Sequence, residues 1–208
     1  GKRGGPPPII DGAEGAGTVA ALGDGVSGLA EGDRVAYWNP KVGSYAEYAT
    51  CPAFRIVKLP DGMDFGTGAA FMLQGLTAHY LVRSSCEAKA GETILFHAGA
   101  GGVGQIAIQL AKAQGVRVLV TVGSEEKAAF AREIGADEAI LYEQVDFVEA
   151  ARELTDGEGV HAVYDSVGAA TWEGSLKALR VRGKVAYFGG ASGPLPAPSA
   201  PWHAALRS

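Results

Sequence analysis

Gly99, Gly101 and Gly104 stand at G-x-G-x-x-G spacing within His97-Ala98-Gly99-Ala100-Gly101-Gly102-Val103-Gly104. Each has a physical use if a pyrophosphate lies against this stretch. The first glycine makes a tight turn, the second lets backbone approach the phosphates, and the third permits close helix–strand packing. Gly102 and Val103 complete the candidate set, because a helix starting there offers free N–H groups and partial positive charge to an anion. In a chain with 31 glycines the spacing alone is a weak signal. Its value depends on the elements to either side.

Before the glycines lies Thr93-Ile94-Leu95-Phe96, a continuously apolar run of the kind buried on both faces of a parallel sheet. After them Val103, Ile106, Ala107, Leu110 and Ala111 recur at helical spacing, and Gly115 sits where a C-cap is wanted. A strand–turn–helix unit around these glycines is the context in which the motif binds a dinucleotide. Downstream, strands are expected at 117–122, 139–142, 161–167 and 184–188. Helices are expected at 124–134 (stopped by Gly135), 146–154 and 172–179. Five strands alternating with helices predict an α/β fold, a doubly wound parallel sheet of Rossmann type with strand order 3-2-1-4-5. That scheme wants a sixth strand. The following stretch, residues 193–201, is proline-rich and cannot be an interior strand.

Upstream the punctuation differs. Short apolar stretches at 17–22, 33–37, 45–49 and 55–59 alternate with Gly/Asp turns, as in a small β-barrel or sandwich. Residues 65–85 then carry a helical pattern. The expected organisation is a β domain over 1–64, a connecting helical segment over 65–85, a dinucleotide-binding domain over 86–193 and a Pro/Ala-rich tail over 194–208.

The 208 residues are 47% hydrophobic, enough for one domain core or two small ones. The formal charge is −5 and no basic run occurs, so a nucleic-acid surface is not indicated. Cys51 and Cys86 are far apart and in no metal-like spacing, as expected of free thiols in a reducing, cytoplasmic compartment. No apolar run is long enough to span a bilayer, and no signal peptide is expected among these residues. The chain starts at Gly1, so its natural N-terminus is expected upstream.

Cofactor choice turns on the end of the second strand of the α/β half. NAD-specific domains usually place Asp or Glu there, about twenty residues past the glycines, to hold the ribose 2′-hydroxyl. Here the strand ends Thr121-Val122-Gly123-Ser124, without a carboxylate. Ser124 can donate to a 2′-phosphate and Lys127 lies one turn into the helix, which favours NADP(H). The plainer alternative is an ordinary N-cap with a solvent lysine. Glu125 and Glu126 would repel a phosphate unless they point away. Ser166 and Val167, after the fourth strand, and Phe188, Gly189 and Gly190, after the fifth, lie on the same sheet edge, where ligands of open α/β sheets sit.

Together these and other motifs resemble the zinc-independent quinone oxidoreductase (zeta-crystallin-like) branch of the medium-chain dehydrogenase/reductase superfamily. The resemblance runs from about Asp11 to Gly193. It rests on Gly12-Ala13-Glu14-Gly15-Ala16-Gly17, Gly32-Asp33-Arg34-Val35-Ala36-Tyr37 and Gly43-Ser44-Tyr45-Ala46-Glu47-Tyr48. It continues through Gln74-Gly75-Leu76-Thr77-Ala78, Ala100-Gly101-Gly102-Val103-Gly104, Tyr164-Asp165-Ser166-Val167-Gly168 and Phe188-Gly189-Gly190-Ala191-Ser192-Gly193. The resemblance implies a partial GroES-like β domain before a Rossmann domain with five of its six strands. It also implies that Gln74 and Thr77 lie beside the nicotinamide and that Gly123 to Lys127 form the 2′-phosphate pocket, flanked by Tyr142. The activity implied is NADPH-dependent reduction of quinones or similar conjugated carbonyls. An enoyl reductase acting on acyl thioesters or other enones, and a non-enzymatic NADPH-binding or crystallin-like protein, are the alternatives.

The family's chains carry further sequence at both ends, and a homodimer is expected of the full-length form. An internal fragment, poorly active by itself, is therefore expected, with an atypical tail from about Ala197. Asp11-Gly12-Ala13-Glu14 stands where zinc-dependent relatives have Gly-His-Glu, and His79, His97, His161 and His203 are scattered, so no metal is expected. Glu14 reads as a structural carboxylate, and no residue is assigned as acid, base or nucleophile.

Overall fold

The structure, a computed structural model, describes residues 10–39 and 43–195. The atypical tail from about Ala197 lies outside the described residues. The chain divides into two compact units, residues 1–76 and 77–208.

In the first unit β1 (Glu14–Thr18), β2 (Arg34–Trp38) and β3 (Ile56–Lys58) form an antiparallel sheet in that order. The first strand begins earlier than its apolar pattern suggests, because the small residues Gly15, Ala16 and Gly17 take the places opposite Tyr37, Ala36 and Val35. Ala20 to Leu22 are exposed and outside the ladder. The strand expected at 45–49 does not form. Tyr45 and Tyr48, three residues apart, would fall on opposite faces of an extended strand. Both are instead exposed, at 78% and 80%, and the Tyr45 amide donates to the Asp11 carbonyl.

Helix α1 (Phe65–Tyr80) starts at Asp64, whose carboxylate accepts from the Thr67 amide and hydroxyl at 2.9 and 2.6 Å. Further along, the Leu73 amide donates to Glu14 Oε1 at 2.6 Å, which ties that carboxylate to the helix. A π-type turn over Leu81–Ser85 follows.

The second unit is built on β4 (Thr93–His97), buried along its whole length. Helix α2 (Gly102–Ala113) leads to β5 (Arg117–Val122), α3 (Glu125–Glu133) to β6 (Glu138–Leu141), α4 (Phe147–Glu153) to β7 (Val160–Asp165) and α5 (Trp172–Ala178) to β8 (Leu179–Tyr187). All pairings are parallel, in the order β6-β5-β4-β7-β8, which is the anticipated 3-2-1-4-5. Side chains of β4 alternate between two cores. Ile94 and Phe96 join Val118, Val120, Ile108 and Ala111 on one face, while Leu95 joins Leu119, Val163 and Ala178 on the other. That double burial is why the run 93–96 is apolar without alternation. Strand β8 is longer than its apolar stretch because α5 passes into it directly at Leu179.

The turn from β4 into α2 is the tightest joint of this unit. A Cβ built on Gly104 lies 2.5 Å from the Gly99 carbonyl oxygen and 2.7 Å from that of Ala98, both backbone atoms that cannot swing aside. Gly104→Ala should therefore lower stability by about 1–3 kcal/mol in urea denaturation, the range for overpacking. Gly17→Ala, where a Cβ meets nothing within 4 Å, should change it little.

Candidate functional site

The carboxyl ends of the parallel strands present a row of loops. At the first, Gly99 N–H donates to the Thr121 carbonyl at 3.1 Å and Gly101 N–H to the Ala98 carbonyl at 2.9 Å. Ala98 is held at φ +54°, a left-handed conformation that costs a non-glycine residue about 1–2 kcal/mol. Gly101 caps α2, and Gln105 is the first residue within α2 whose amide reaches back to a carbonyl of the turn, that of Gly101. The amides of Gly102, Val103 and Gly104 thus have no helical acceptor and remain available to an anion.

A cavity of about 540 Å³ runs along this edge, from Ala98 and Gly101 past Gly123 and Lys127 to Tyr142 on one side and Val167 on the other. A Cβ on Gly123 would lie 2.8 Å from the hydroxyl of the exposed Tyr142 side chain, which would have to shift to make room. Ser124 caps α3 by accepting from the Lys127 amide at 3.3 Å, which leaves the serine proton free to donate outward. The Lys127 side chain lines the cavity, and among the described residues no carboxylate pairs with its ammonium group. Glu125 and Glu126 are exposed and do not line it.

Ser166, Val167, Phe188, Gly189 and Gly190 belong to two loops that are stitched together. Ala191 N–H donates to the Ser166 carbonyl, and Ser192 donates to the Val167 carbonyl through both its amide and its hydroxyl. The Phe188 ring packs 5.7 Å from that of Phe96, against the apolar core and not in the cavity lining. Thr77 lies half-buried on the last turns of α1, in this unit, whereas Gln74 belongs to the other.

Sequence reading missed a buried polar network that forms part of the cavity wall, with His97 and Thr121 in the lining and Asp165 and Ser175 behind them. His97, at the end of β4, is 1% exposed, and Thr121, Asp165 and Ser175 are likewise buried. His97 Nδ1 lies 2.9 Å from Thr121 Oγ1, and Nε2 lies 3.0 Å from Ser175 Oγ. Ser175 donates its single proton to Asp165 Oδ2 at 2.7 Å, so its oxygen accepts from His97 Nε2–H. A neutral imidazole then accepts at Nδ1 from the Thr121 hydroxyl. The available signal was a polar residue closing each of two otherwise buried strands, His97 after Phe96 and Asp165 after Tyr164.

Comparison with known proteins matches residues 102–207 to the zinc-binding dehydrogenase family and residues 1–61 to the alcohol dehydrogenase GroES-like domain. The chain belongs to the medium-chain dehydrogenase/reductase superfamily. Within that superfamily it is 50% identical over 184 residues to a quinone oxidoreductase of Pseudomonas aeruginosa, covering 88% of this chain and 57% of that protein. It is 42% identical over 191 residues to a 2-haloacrylate reductase of Burkholderia, covering 91% and 57%. The crystal structure of Escherichia coli quinone oxidoreductase complexed with NADPH superposes with a TM-score of 0.89 at 42% identity, covering 95% and 61%. The chain therefore spans less than two thirds of the length of each of these relatives.

The zinc in the dehydrogenase family's name finds no ligand set among the described residues, where no three His, Cys, Asp or Glu side chains converge as a metal ion would require. Also among the described residues, no helix is long and apolar enough to cross a membrane.

Burial lowers the pKa of His97 below the ordinary imidazole value of 6.5, against the opposing pull of the Asp165 charge. The unfolded chain therefore takes up this proton at higher pH than the folded one. Stability contributed by neutral His97 is complete above about pH 6.5 and is lost as pH falls through the window between the two values. Urea midpoints of the protein followed from about pH 7.5 to 5 should decline more steeply than those of His97→Gln, which lacks the titrating ring.

Proposed function

We propose that this protein is an NADPH-dependent reductase of quinones and similarly conjugated carbonyls, working without a metal. The observation that carries the reading is the unpaired Lys127 lining the cavity beside Gly123 and Ser124, where an NAD-specific domain would place a carboxylate. An ammonium group, a serine hydroxyl and a glycine without a side chain beside the Tyr142 hydroxyl suit a ribose 2′-phosphate. The free amides of Gly102, Val103 and Gly104 suit the pyrophosphate at the other end of the same edge. The NADPH bound to the Escherichia coli relative supports the same choice.

Each group of the chain has a definable task. Lys127 and Ser124 hold the adenosine end, and Tyr142 shields it from the side. The start of α2 offsets the pyrophosphate charge, and the stitched loops after β7 and β8 offer backbone groups beyond it. When bound, the nicotinamide supplies the hydride. The protein orients it, excludes water and leaves polarisation of the acceptor carbonyl to fixed dipoles.

The 2-haloacrylate reductase similarity favours a second reading, in which the acceptor is another electron-poor alkene such as an enone or an enoyl thioester. Tight NADPH binding without turnover on any of these electrophiles would favour a binding or crystallin-like protein. We also place the protein in the cytoplasm, in keeping with its unpaired Cys51 and Cys86. A homodimer is the full-length assembly we expect from the family resemblance, readable by light scattering.

Titrating the natural protein and Lys127→Ala with both cofactors tests the reading. Loss of a charge-assisted contact to the 2′-phosphate should weaken NADPH by about 1.5–3 kcal/mol, or tenfold or more, and leave NADH nearly unchanged. Equal losses for the two cofactors would remove the 2′-phosphate assignment. Parallel assays with a simple quinone, an enone and an enoyl thioester then separate the acceptor classes.

A further inference from the structure

We propose that the buried Thr121–His97–Ser175–Asp165 network is the positioning device of the cradle, holding its two sides at a fixed separation; this rests on the cofactor reading above. On one side Thr121 is bound twice. Its carbonyl accepts from the Gly99 amide, which fixes the glycine turn, and its hydroxyl donates to His97 Nδ1 at 2.9 Å. Two residues later the chain reaches Gly123, at the adenosine end. On the other side the Asp165 carboxylate organises the loop after β7. Its Oδ1 accepts from the amides of Val167 and Gly168 at 2.9 and 3.0 Å, and both oxygens lie 2.9 Å from the Thr171 hydroxyl. Val167 and Thr171 line the cavity opposite Gly123.

His97 and Ser175 are the link between these halves. Hydrogen bonds run in a single direction, from Thr121 to His97 to Ser175 to Asp165, and use every proton that the three donors have to give. The edge-on Phe147 ring, 4.9 Å from the imidazole, packs against it. The order is not that of a hydrolytic triad. Ser175 lies between the acid and the imidazole, gives its proton to the acid, and is fully buried, so no nucleophile is presented. What the arrangement does is set distance. A buried, satisfied polar chain has one geometry, and neither end can shift without orphaning a group in an apolar interior.

His97 and Thr121 line the same cavity as Lys127, but among the described residues no hydrogen bond of the network reaches the Lys127 ammonium group, whose charge is what would tell the two cofactors apart. Loosening it must therefore weaken NADPH and NADH alike, whereas a change at Lys127 discriminates between them. The experiment uses the natural protein and its Ser175→Ala, His97→Leu and His97→Gln variants, titrated with each cofactor below the onset of melting. Ser175→Ala and His97→Leu should raise both dissociation constants by roughly fivefold or more, with the NADPH to NADH ratio unchanged. His97→Gln keeps an amide donor toward Ser175 and should recover part of that loss. Should Ser175→Ala be recovered unfolded, Thr121→Val keeps the volume while removing one hydrogen bond, and the same outcomes are read from it. Folded variants whose melting midpoints drop while both dissociation constants stay at the natural value would overturn the positioning role, as would a changed cofactor ratio. Failure of the natural protein itself to bind NADPH would overturn the cofactor reading, and the positioning role with it.

Discussion

Burying β4 on both faces is the constraint from which the second unit follows. A strand with no solvent face needs a paired strand on each edge and a helix layer above and below, and parallel crossovers supply both. The same crossovers bring the loops after β4, β5, β6, β7 and β8 to one edge of the sheet. Residues far apart in sequence, such as Gly101 and Phe188, thereby lie on a single row. The glycine turn is the point of greatest crowding in that row. Gly104 packs its Cα against the carbonyls of Ala98 and Gly99, which brings the start of α2 close to the strand end. Ala98 accepts a left-handed backbone conformation so that this turn can close.

Electrostatics then divides the row into two tasks. Toward the glycine turn, charge is offered by backbone alone, through amides that a helix start leaves unpaired. Toward Gly123, where the proposed function puts the adenosine end, it is offered by one side chain, Lys127, whose neighbours Glu125 and Glu126 stand exposed and away from the cavity. Between these lies the His97 network, two of whose members line the cavity and to which we assign the fixing of geometry rather than the supply of charge. In the proposed function, binding and spacing are the work of different residues.

Much of the α/β half was legible in the sequence because its signals are local. The apolar run at 93–96, the glycines after it, and caps such as Ser124, Asp146 and Gly135 each mark an element boundary without reference to the rest of the chain. The strand order followed from alternation and handedness. The β half was harder to read. Its strands are short and glycine-rich, and pairing is decided by partners distant in sequence, so β1 began early and the stretch around Tyr45 and Tyr48 formed no strand. The His97 network was invisible for the same reason, since Thr121, Ser175 and Asp165 reach the imidazole only through the fold. Lys127 could be proposed from spacing, but its separation from the directions taken by Glu125 and Glu126 required coordinates.

A crystal structure of the natural protein with NADPH tests the central claim most directly. The account predicts the 2′-phosphate within hydrogen-bonding distance of the Ser124 hydroxyl and the Lys127 ammonium group, with the pyrophosphate over the first amides of α2. An NADPH molecule bound with its 2′-phosphate away from Ser124 and Lys127, or with its pyrophosphate off the glycine turn, would contradict it.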